Sequence, residues 1–279
     1  DGNLEWCHED DLELVDDEQT PDSHFIEGRF GGPETLRQHL TFQKLNGELA
    51  DVVYSMNTTQ TDFYAYQFRP VLRFLDTAAK GILIADEVGL GKTIEAGLIW
   101  TELRARLHAS RLLVVCPPHL VENWIYELDL RFGVQADEAK APDLIGNLER
   151  ARQDRRRNFA LVGSFHGLMP QRDWRKGEVT SSTNPRKRLA RLMEDLEAEE
   201  PLLDLLIVDE AHYMRNAETL FNRLGRLTGA IAEHVVLLSA TPIMTSRDNL
   251  FSLLNLLDED TFTDDYSFQA LLRANEPLV

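Results

Sequence analysis

From residue 81 onward, short apolar runs alternate with longer amphipathic segments, and this alternation constrains the fold more than any other feature. The apolar runs lack the every-second-residue polar pattern of a half-exposed strand, which predicts strands that are buried on both faces. Strands separated by helices predict βαβ units and an α/β fold with a mainly parallel sheet flanked by helices. Strands are predicted at residues 81–85, 111–116, 159–164, 203–208 and 235–239. Helices are predicted at residues 63–75, 92–107, 120–131, 143–157, 186–199, 217–227 and 247–256.

A phosphate-binding loop is predicted between the first strand and its helix. The loop residues are Asp86, Glu87, Val88, Gly89, Leu90, Gly91, Lys92 and Thr93. Glycine lets backbone N–H groups approach phosphates closely, and the following helix adds its positive N-terminal end. Lys92 is expected to reach the β- and γ-phosphates of a nucleotide, and the Thr93 hydroxyl is expected to bind Mg²⁺. The general pattern G-x-x-x-x-G-K-[ST] has glycine where this chain has Asp86, so a helix start that merely carries Gly-Lys-Thr is the alternative.

Two adjacent carboxylates, Asp209 and Glu210, follow the apolar run at residues 205–208. Open α/β sheets bind ligands at the carboxyl ends of their strands. Asp209 is therefore predicted to hold Mg²⁺, and Glu210 to orient and deprotonate the attacking water. An apolar run that ends in Asp-Glu is a common strand exit, so the pair is informative only together with the phosphate loop. In combination, the two features predict a site that uses ATP and Mg²⁺.

The net charge of −18 at first argues against a nucleic-acid partner. The first 30 residues hold eleven acidic residues and one arginine, so more than half of this charge lies there. Local basic patches therefore matter more than the total. Three clusters of basic residues, at 150–157, 172–176 and 186–191, are interpreted as solvated helix faces rather than phosphate contacts, because acidic residues at 194–200 balance them.

The phosphate loop resembles that of superfamily-two helicase-like ATPases of the Swi/Snf type, whose loop reads Asp-Glu-x-Gly-Leu-Gly-Lys-Thr. This resemblance accounts for Asp86 and covers residues 63–279. Two further motifs match, the DEAH box at Asp209, Glu210, Ala211 and His212, and the third motif at Ser239, Ala240, Thr241 and Pro242. In the family the third motif couples hydrolysis to nucleic-acid movement, and His212 is expected to link the nucleotide site to neighbouring elements. The Ser-Ala-Thr sequence and Glu95-Ala96-Gly97 resemble the bacterial RapA-like branch.

The resemblance implies further contacts with ligands. Gln67 matches the glutamine motif, which hydrogen-bonds the adenine edge. Pro118 and His119 match a segment that lies near the nucleic-acid backbone, while Ser164 is either a phosphate contact or a simple strand-end serine. Trp124 is interpreted as a packing residue rather than one that stacks on a base.

The chain is predicted to have three parts. Residues 1–32 are an acidic flank or the remnant of an upstream domain, residues 33–62 a helical N-terminal extension, and residues 63–279 a RecA-like P-loop NTPase domain. In the family, a second RecA-like lobe carries arginines that reach the γ-phosphate, and 37 residues after Pro242 are too few for it. The chain is therefore expected to be a piece of a longer protein and only weakly active alone.

Two cysteines, Cys7 and Cys116, allow one disulfide, but a reduced cytoplasmic setting is favoured because Cys116 lies in a predicted buried strand. No apolar run reaches the ~18–20 residues that span a bilayer, so no membrane partner is expected.

The resemblance implies an ATP-hydrolysing translocase on double-stranded DNA or another nucleic acid, with protein partners in a larger complex. Polymerase recycling and anti-phage defence are the two roles it suggests. The alternative from another class is a nucleotide-gated protein-interaction scaffold without motor activity.

Overall fold

A sheet of six parallel strands forms the centre of the structure. The computed structural model describes residues 55, 64–76, 79–85, 91–175, 184–240, 247–258, 262 and 268. The strands are β1 (Gly81–Ile84), β2 (Arg111–Cys116), β3 (Asp137–Ala139), β4 (Phe159–Ser164), β5 (Leu203–Val208) and β6 (Ala232–Leu238). Their spatial order is β1-β6-β5-β2-β4-β3, and every neighbouring pair is parallel. The predicted α/β class with a parallel sheet is confirmed.

Helices connect the strands and cover the sheet. They are α1 (Arg69–Leu75), α2 (Lys92–Leu107), α3 (Val121–Phe132), α4 (Ala141–Gln153), α5 (Phe165–Leu168), α6 (Pro185–Leu196), α7 (Leu220–Ala230) and α8 (Arg247–Leu257). Three 3-10 turns lie at Ala65–Phe68, Pro118–Leu120 and Ala211–Met214. Helices of this kind between parallel strands are the usual crossover connections of α/β proteins.

The strands contribute alternate residues to two hydrophobic cores, one on each face of the sheet. In β2, Leu113 and Val115 pack with α4–α8, whereas Leu112 and Val114 pack with α1–α3. This division follows from the two-residue period of a strand, which points successive side chains to opposite faces. Because both faces are covered, the strands read as continuous apolar runs in the sequence.

Several element bounds and short elements differ from the sequence-based prediction. The strand β3 is absent from the predicted set, because it has three residues, two of them exposed acids, and lies at the sheet edge. The strand β6 begins at Ala232 rather than at residue 235. The predicted helix at residues 63–75 is a 3-10 turn followed by α1, whose start accommodates Pro70, a residue with no N–H to donate.

The predicted acidic flank and N-terminal extension, residues 1–62, lie outside the described residues except for Ser55. Cys116 is buried and free, and burial raises the pKa of its thiol to about 12. None of the helices in the described ranges has the length and hydrophobicity that crossing a bilayer requires.

His234 in β6 gives the fold a predictable response to acid. The residue is 5 % exposed, and its ring contacts Phe74 edge-on, with centroids 5.3 Å apart. Burial lowers the pKa of His234 from 6.5 to about 4, outweighing the nearby Asp204 carboxylate, which favours the charged form. Since the unfolded chain takes up this proton and the folded chain does not, stability falls as the pH drops from about 6.5 to about 4.

Acid lowers the free energy of unfolding through His234, and the variant His234→Leu is expected to remove on the order of 3 kcal/mol of this decrease, because leucine does not bind a proton. Urea unfolding of wild type and variant at pH 7.5, 5.5 and 4.5 measures the difference. Parallel pH profiles for wild type and His234→Leu would contradict the prediction.

Candidate functional site

The carboxyl ends of β1, β6 and β5 lie side by side at one edge of the sheet. Ile84 pairs with Leu238, and Val208 pairs with Leu237. Beyond the paired residues, the Ser239 N–H donates to the Ile84 carbonyl at 2.9 Å. The segments after these strands are therefore brought together, and they carry the predicted phosphate loop, the third motif and the carboxylate pair.

Gly91 ends the predicted phosphate loop and adopts a backbone that favours glycine. Its φ is 93° and its ψ is 32°, in the left-handed region, and it caps the N-terminus of α2. A Cβ atom added at Gly91 would lie 2.3 Å from Nε2 of the buried Gln67. The structure thus places the Gln67 side chain against Gly91, 24 residues away in sequence. The residues from Asp86 to Leu90 lie outside the described residues.

Lys92 and Thr93 form the first turn of α2, as the sequence predicts. The N–H groups of a first helical turn have no partners within the helix, and the helix dipole makes this end positive. The Lys92 charge also reaches the carboxylate of Asp209, where it favours the ionised form. The Lys92 charge and the positive end of the helix dipole lie at one point, which is suited to a phosphate group.

Asp209 follows β5 directly and is held from both sides. Its N–H donates to the Val115 carbonyl at 2.9 Å. One carboxylate oxygen, Oδ1, accepts from the Glu210 N–H at 2.8 Å, and the other, Oδ2, accepts from Trp124 Nε1 at 2.9 Å. Burial raises the pKa of Asp209, while the two hydrogen bonds and Lys92 act in the opposite direction. A buried carboxylate that is oriented in this way is suited to a cation.

Glu210 has a left-handed backbone, with φ 54° and ψ 45°, which is uncommon for a residue with a side chain. Such backbone strain is found preferentially at functional sites. The Glu210 Oε2 atom lies 3.0 Å from Nδ1 of His212, although the two atoms are not aligned for a hydrogen bond. The Glu210 side chain remains partly exposed, so water can reach it.

Aromatic rings extend from His212 to the core. His212 stacks on Tyr213 with centroids 4.5 Å apart, and Tyr213 stacks on Phe221 at 5.6 Å. Phe221 meets the fully buried Phe165 edge-on at 5.5 Å. Because Phe165 directly follows β4, these rings join the end of β4 to the segment after β5.

The three predicted nucleic-acid contacts lie after β2 and β4. Pro118 and His119 are exposed in the 3-10 turn after β2. Ser164 ends β4, and its hydroxyl accepts from the Gly167 N–H at 3.1 Å, so it caps α5. Of the third motif, Ser239 and Ala240 follow β6, and Thr241 lies outside the described residues.

The basic clusters are partly occupied by acidic partners. Arg152 pairs with Glu199, and Arg175 Nη2 lies 2.6 Å from Glu194 Oε1. Arg155 Nη2 lies 4.0 Å from an oxygen of Glu200. These ion pairs at exposed positions agree with the interpretation of the clusters as solvated surface. Arg191 is the exception, because it is buried and donates to the Trp174 carbonyl at 2.8 Å.

The residues at this edge fit both Mg²⁺ and a nucleotide phosphate. Carboxylate and hydroxyl oxygens, here those of Asp209 and Thr93, are the hard donors that Mg²⁺ prefers. At Gly91, the space that a Cβ would need is taken by the Gln67 side chain, which brings the residue predicted to bind adenine against the start of α2. Within the described ranges, no group of three or more His, Cys, Asp or Glu side chains could hold a metal ion, and Mg²⁺ at nucleotide sites uses few protein ligands plus phosphates and waters.

Trp124 is the site residue that sequence reasoning missed. It was assigned to packing, and it is indeed fully buried, but it also donates to Asp209, which lies 85 residues further along the chain. Its position in an amphipathic helix gives no signal of this second contact. Only the buried indole N–H, which usually finds a partner in a folded protein, could have raised the question.

Comparison with known proteins gives consistent results. The sequence profile described as the SNF2-related domain matches residues 66–276. RNA polymerase-associated protein RapA of Pseudomonas fluorescens (strain SBW25) is 31% identical over 243 residues, which cover 85% of this chain and 23% of that protein. RapA of Stutzerimonas stutzeri (strain A1501) is 32% identical over 251 residues, which cover 88% of this chain and 24% of that protein. The chain thus spans about a quarter of the length of these curated relatives.

Two solved structures are similar in fold. The Sulfolobus solfataricus SWI2/SNF2 ATPase core in complex with dsDNA superposes with a TM-score of 0.55 at 18% identity, covering 79% of this chain and 44% of that one. The same organism's SWI2/SNF2 ATPase core domain gives a TM-score of 0.52 at 18% identity, covering 79% and 40%. Together with the profile match over most of the chain, these similarities show that the chain belongs to the family of SNF2-related, helicase-like ATPase domains.

Proposed function

We propose that this chain is the ATP-binding lobe of a DNA-dependent ATPase that moves along duplex nucleic acid. One observation carries the proposal. The residues that follow β1, β5 and β6 meet at a single edge of the sheet, and they include a phosphate-binding helix start, a buried carboxylate with its neighbouring glutamate, and the third motif.

ATP is held by the phosphate loop and the start of α2. The loop residues from Asp86 to Thr93 bind the phosphates, and Lys92 neutralises charge on the β- and γ-phosphates. Gln67 recognises the adenine edge, a role supported by its position against Gly91.

Hydrolysis uses the residues after β5 together with Thr93. Asp209 and the Thr93 hydroxyl hold Mg²⁺, which supplies positive charge to the phosphates when bound. Glu210 orients the attacking water and removes its proton, and its partly exposed side chain supports this role. His212 is placed beside Glu210 and restricts where the carboxylate can point.

Coupling to the nucleic acid uses elements that border the nucleotide site. Ser239, Ala240 and Thr241 follow β6, the strand beside β1, and respond to the state of the γ-phosphate. Pro118, His119 and Ser164 contact the nucleic-acid backbone from the loops after β2 and β4. The rings between His212 and Phe165 give a packed connection from Glu210 to the end of β4.

The complete natural protein is expected to contain a second lobe that supplies arginines to the γ-phosphate, because the curated relatives are about four times as long as this chain. The solved relative that contains dsDNA favours duplex DNA as the track. The relatives' name, RNA polymerase-associated protein, favours a role linked to polymerase over one in anti-phage defence. Both assignments are part of the proposal.

The proposal is tested by the ATPase rate of the complete natural protein at saturating ATP and Mg²⁺. Duplex DNA is expected to raise this rate roughly tenfold, which corresponds to a decrease of about 1.4 kcal/mol in the activation free energy. Single-stranded DNA and double-stranded RNA serve as competing tracks. The stimulation should weaken as salt rises, because contacts to the phosphate backbone release counterions.

Arg152 offers a control variant for this measurement. It belongs to a basic cluster but pairs with Glu199, so Arg152→Ala should leave the stimulation by duplex DNA unchanged. An ATPase rate that no nucleic acid changes would overturn the motor proposal and favour the nucleotide-gated scaffold. A larger response to RNA than to DNA would reassign the track.

A further inference from the structure

The tryptophans that the structure describes differ in the hydrogen bonding of their indole N–H groups. Trp100, Trp124 and Trp174 are all buried. Within the part of the chain that the structure describes, Nε1 of Trp100 and Nε1 of Trp174 have no hydrogen-bond partner. Nε1 of Trp124, in contrast, lies 2.9 Å from Oδ2 of Asp209. The contact is therefore specific to the tryptophan beside the carboxylate pair.

The hydrogen bond from Trp124 fixes the terminal side-chain torsion of Asp209, which a single donor would leave loosely defined. The terminal torsion of an aspartate is broad, so a carboxylate with a single donor can rotate about its axis. In Asp209 each oxygen has its own donor, the Glu210 N–H on Oδ1 and the Trp124 indole on Oδ2. The plane of the carboxylate is thereby defined, and its remaining lone pairs point in fixed directions.

Both donors to the Asp209 carboxylate are rigid groups. Neither donor is a rotatable hydroxyl or a long flexible chain. The Trp124 ring is fully enclosed by the core between α3 and the sheet, so its N–H has little freedom to turn away.

We propose that Trp124 is a positioning residue that holds Asp209 in the orientation needed to bind Mg²⁺. Helix α3 is then part of the metal site, although it contributes no ligand. The inference rests on the proposed function, because it takes Asp209 to be the Mg²⁺ ligand. Partners behind a metal ligand typically change metal affinity by about 10- to 100-fold when they are removed.

The test uses the complete natural protein and the variant Trp124→Phe, which removes the N–H and keeps most of the buried ring. Binding of a fluorescent, non-hydrolysable ATP analogue is measured against Mg²⁺ concentration and again in EDTA. We expect the Mg²⁺ concentration at half-saturation to rise roughly tenfold, while analogue affinity in EDTA stays within about twofold of wild type. A loss of packing alone would lower both affinities together.

Trp174→Phe is the matched control. Trp174 is as deeply buried as Trp124, but its N–H has no partner among the described residues and it packs on the opposite face of the sheet. Both affinities of this variant should match the wild type. If the Mg²⁺ concentration at half-saturation were the same for Trp124→Phe and Trp174→Phe, the inference would be overturned.

A second measurement covers the case in which Trp124→Phe does not fold, as judged by its circular dichroism melt. Mg²⁺ is added to wild-type protein that is loaded with a non-fluorescent, non-hydrolysable ATP analogue. The tryptophan emission should then shift, because the Asp209 carboxylate that accepts from Trp124 gains a cation. Unchanged emission at saturating Mg²⁺ would contradict the inference. If wild type itself binds the analogue equally with and without Mg²⁺, the proposed function fails instead, so the two failures are distinguishable.

Discussion

Replacing Glu210 by glutamine is expected to lower the rate of ATP hydrolysis by about 10²- to 10⁴-fold, the usual contribution of a general base. Glutamine has nearly the same shape as glutamate, so the substitution adds no strain to the left-handed backbone at this position. Only the negative charge that accepts the proton is lost. Single-turnover hydrolysis by the complete natural protein, with duplex DNA present, measures the effect directly.

ATP binding separates this variant from one in the phosphate site. Glu210→Gln should still bind ATP and Mg²⁺, whereas Lys92→Ala should lose most of its affinity, because Lys92, at the start of α2, is the residue proposed to bind the phosphates. Glu218→Gln, an exposed glutamate that follows the same strand, is the charge-matched control and should hydrolyse ATP normally. If Glu210→Gln retained a rate within a factor of about ten of wild type, Glu210 would not be the general base.

Glu102→Ala is expected to destabilise the fold by about 3–5 kcal/mol, the usual cost of breaking a buried ion pair from one side. On α2, Glu102 Oε2 lies 2.9 Å from Arg106 Nε, with both side chains almost fully buried. Its other oxygen accepts from the Ser55 N–H at 2.6 Å. The substitution removes both contacts and leaves the buried Arg106 guanidinium without this carboxylate. Urea unfolding measures the change in the free energy of unfolding.

The pair Glu127 and Arg131 on α3 provides the comparison, since it has the same residue types and the same four-residue spacing but is partly exposed. Glu127→Ala should cost less than about 1 kcal/mol, because water screens the pair. If both substitutions lowered the free energy of unfolding equally, burial would not determine the strength of the pair on α2. The result matters for function because α2 carries Lys92 and Thr93 at its other end.

The parts of this protein that could be predicted from sequence are those whose signal lies within a few neighbouring residues. The strand before Asp86, the helix from Lys92 to Leu107 and the strand before Asp209 each have an uninterrupted local pattern. The short edge strand β3 was missed because three residues, two of them acidic, have no apolar periodicity to detect. The start of β6 was placed three residues late, because Glu233 and His234 interrupt the apolar run.

Contacts between distant residues were beyond such patterns. The sequence predicts that Gln67 and Gly91 belong to one nucleotide site, but not that the side chain of one fills the space a Cβ on the other would need. Nor does it distinguish Trp124 from Trp174, since both are aromatic residues in apolar surroundings. Which of the two indoles meets a carboxylate depends on the packing of α3 against the end of β5.

The sequence by itself determined the parallel α/β fold, the family and the identity of the residues at the predicted nucleotide site, because each depends on local hydrophobic periodicity or a contiguous motif. The tertiary structure decided the strand order, which places the ends of β1, β6 and β5 side by side. It also decided the two donors that orient Asp209 and the strained backbone of Glu210. These features depend on how separate segments pack together, and packing is set by the whole core rather than by any one segment.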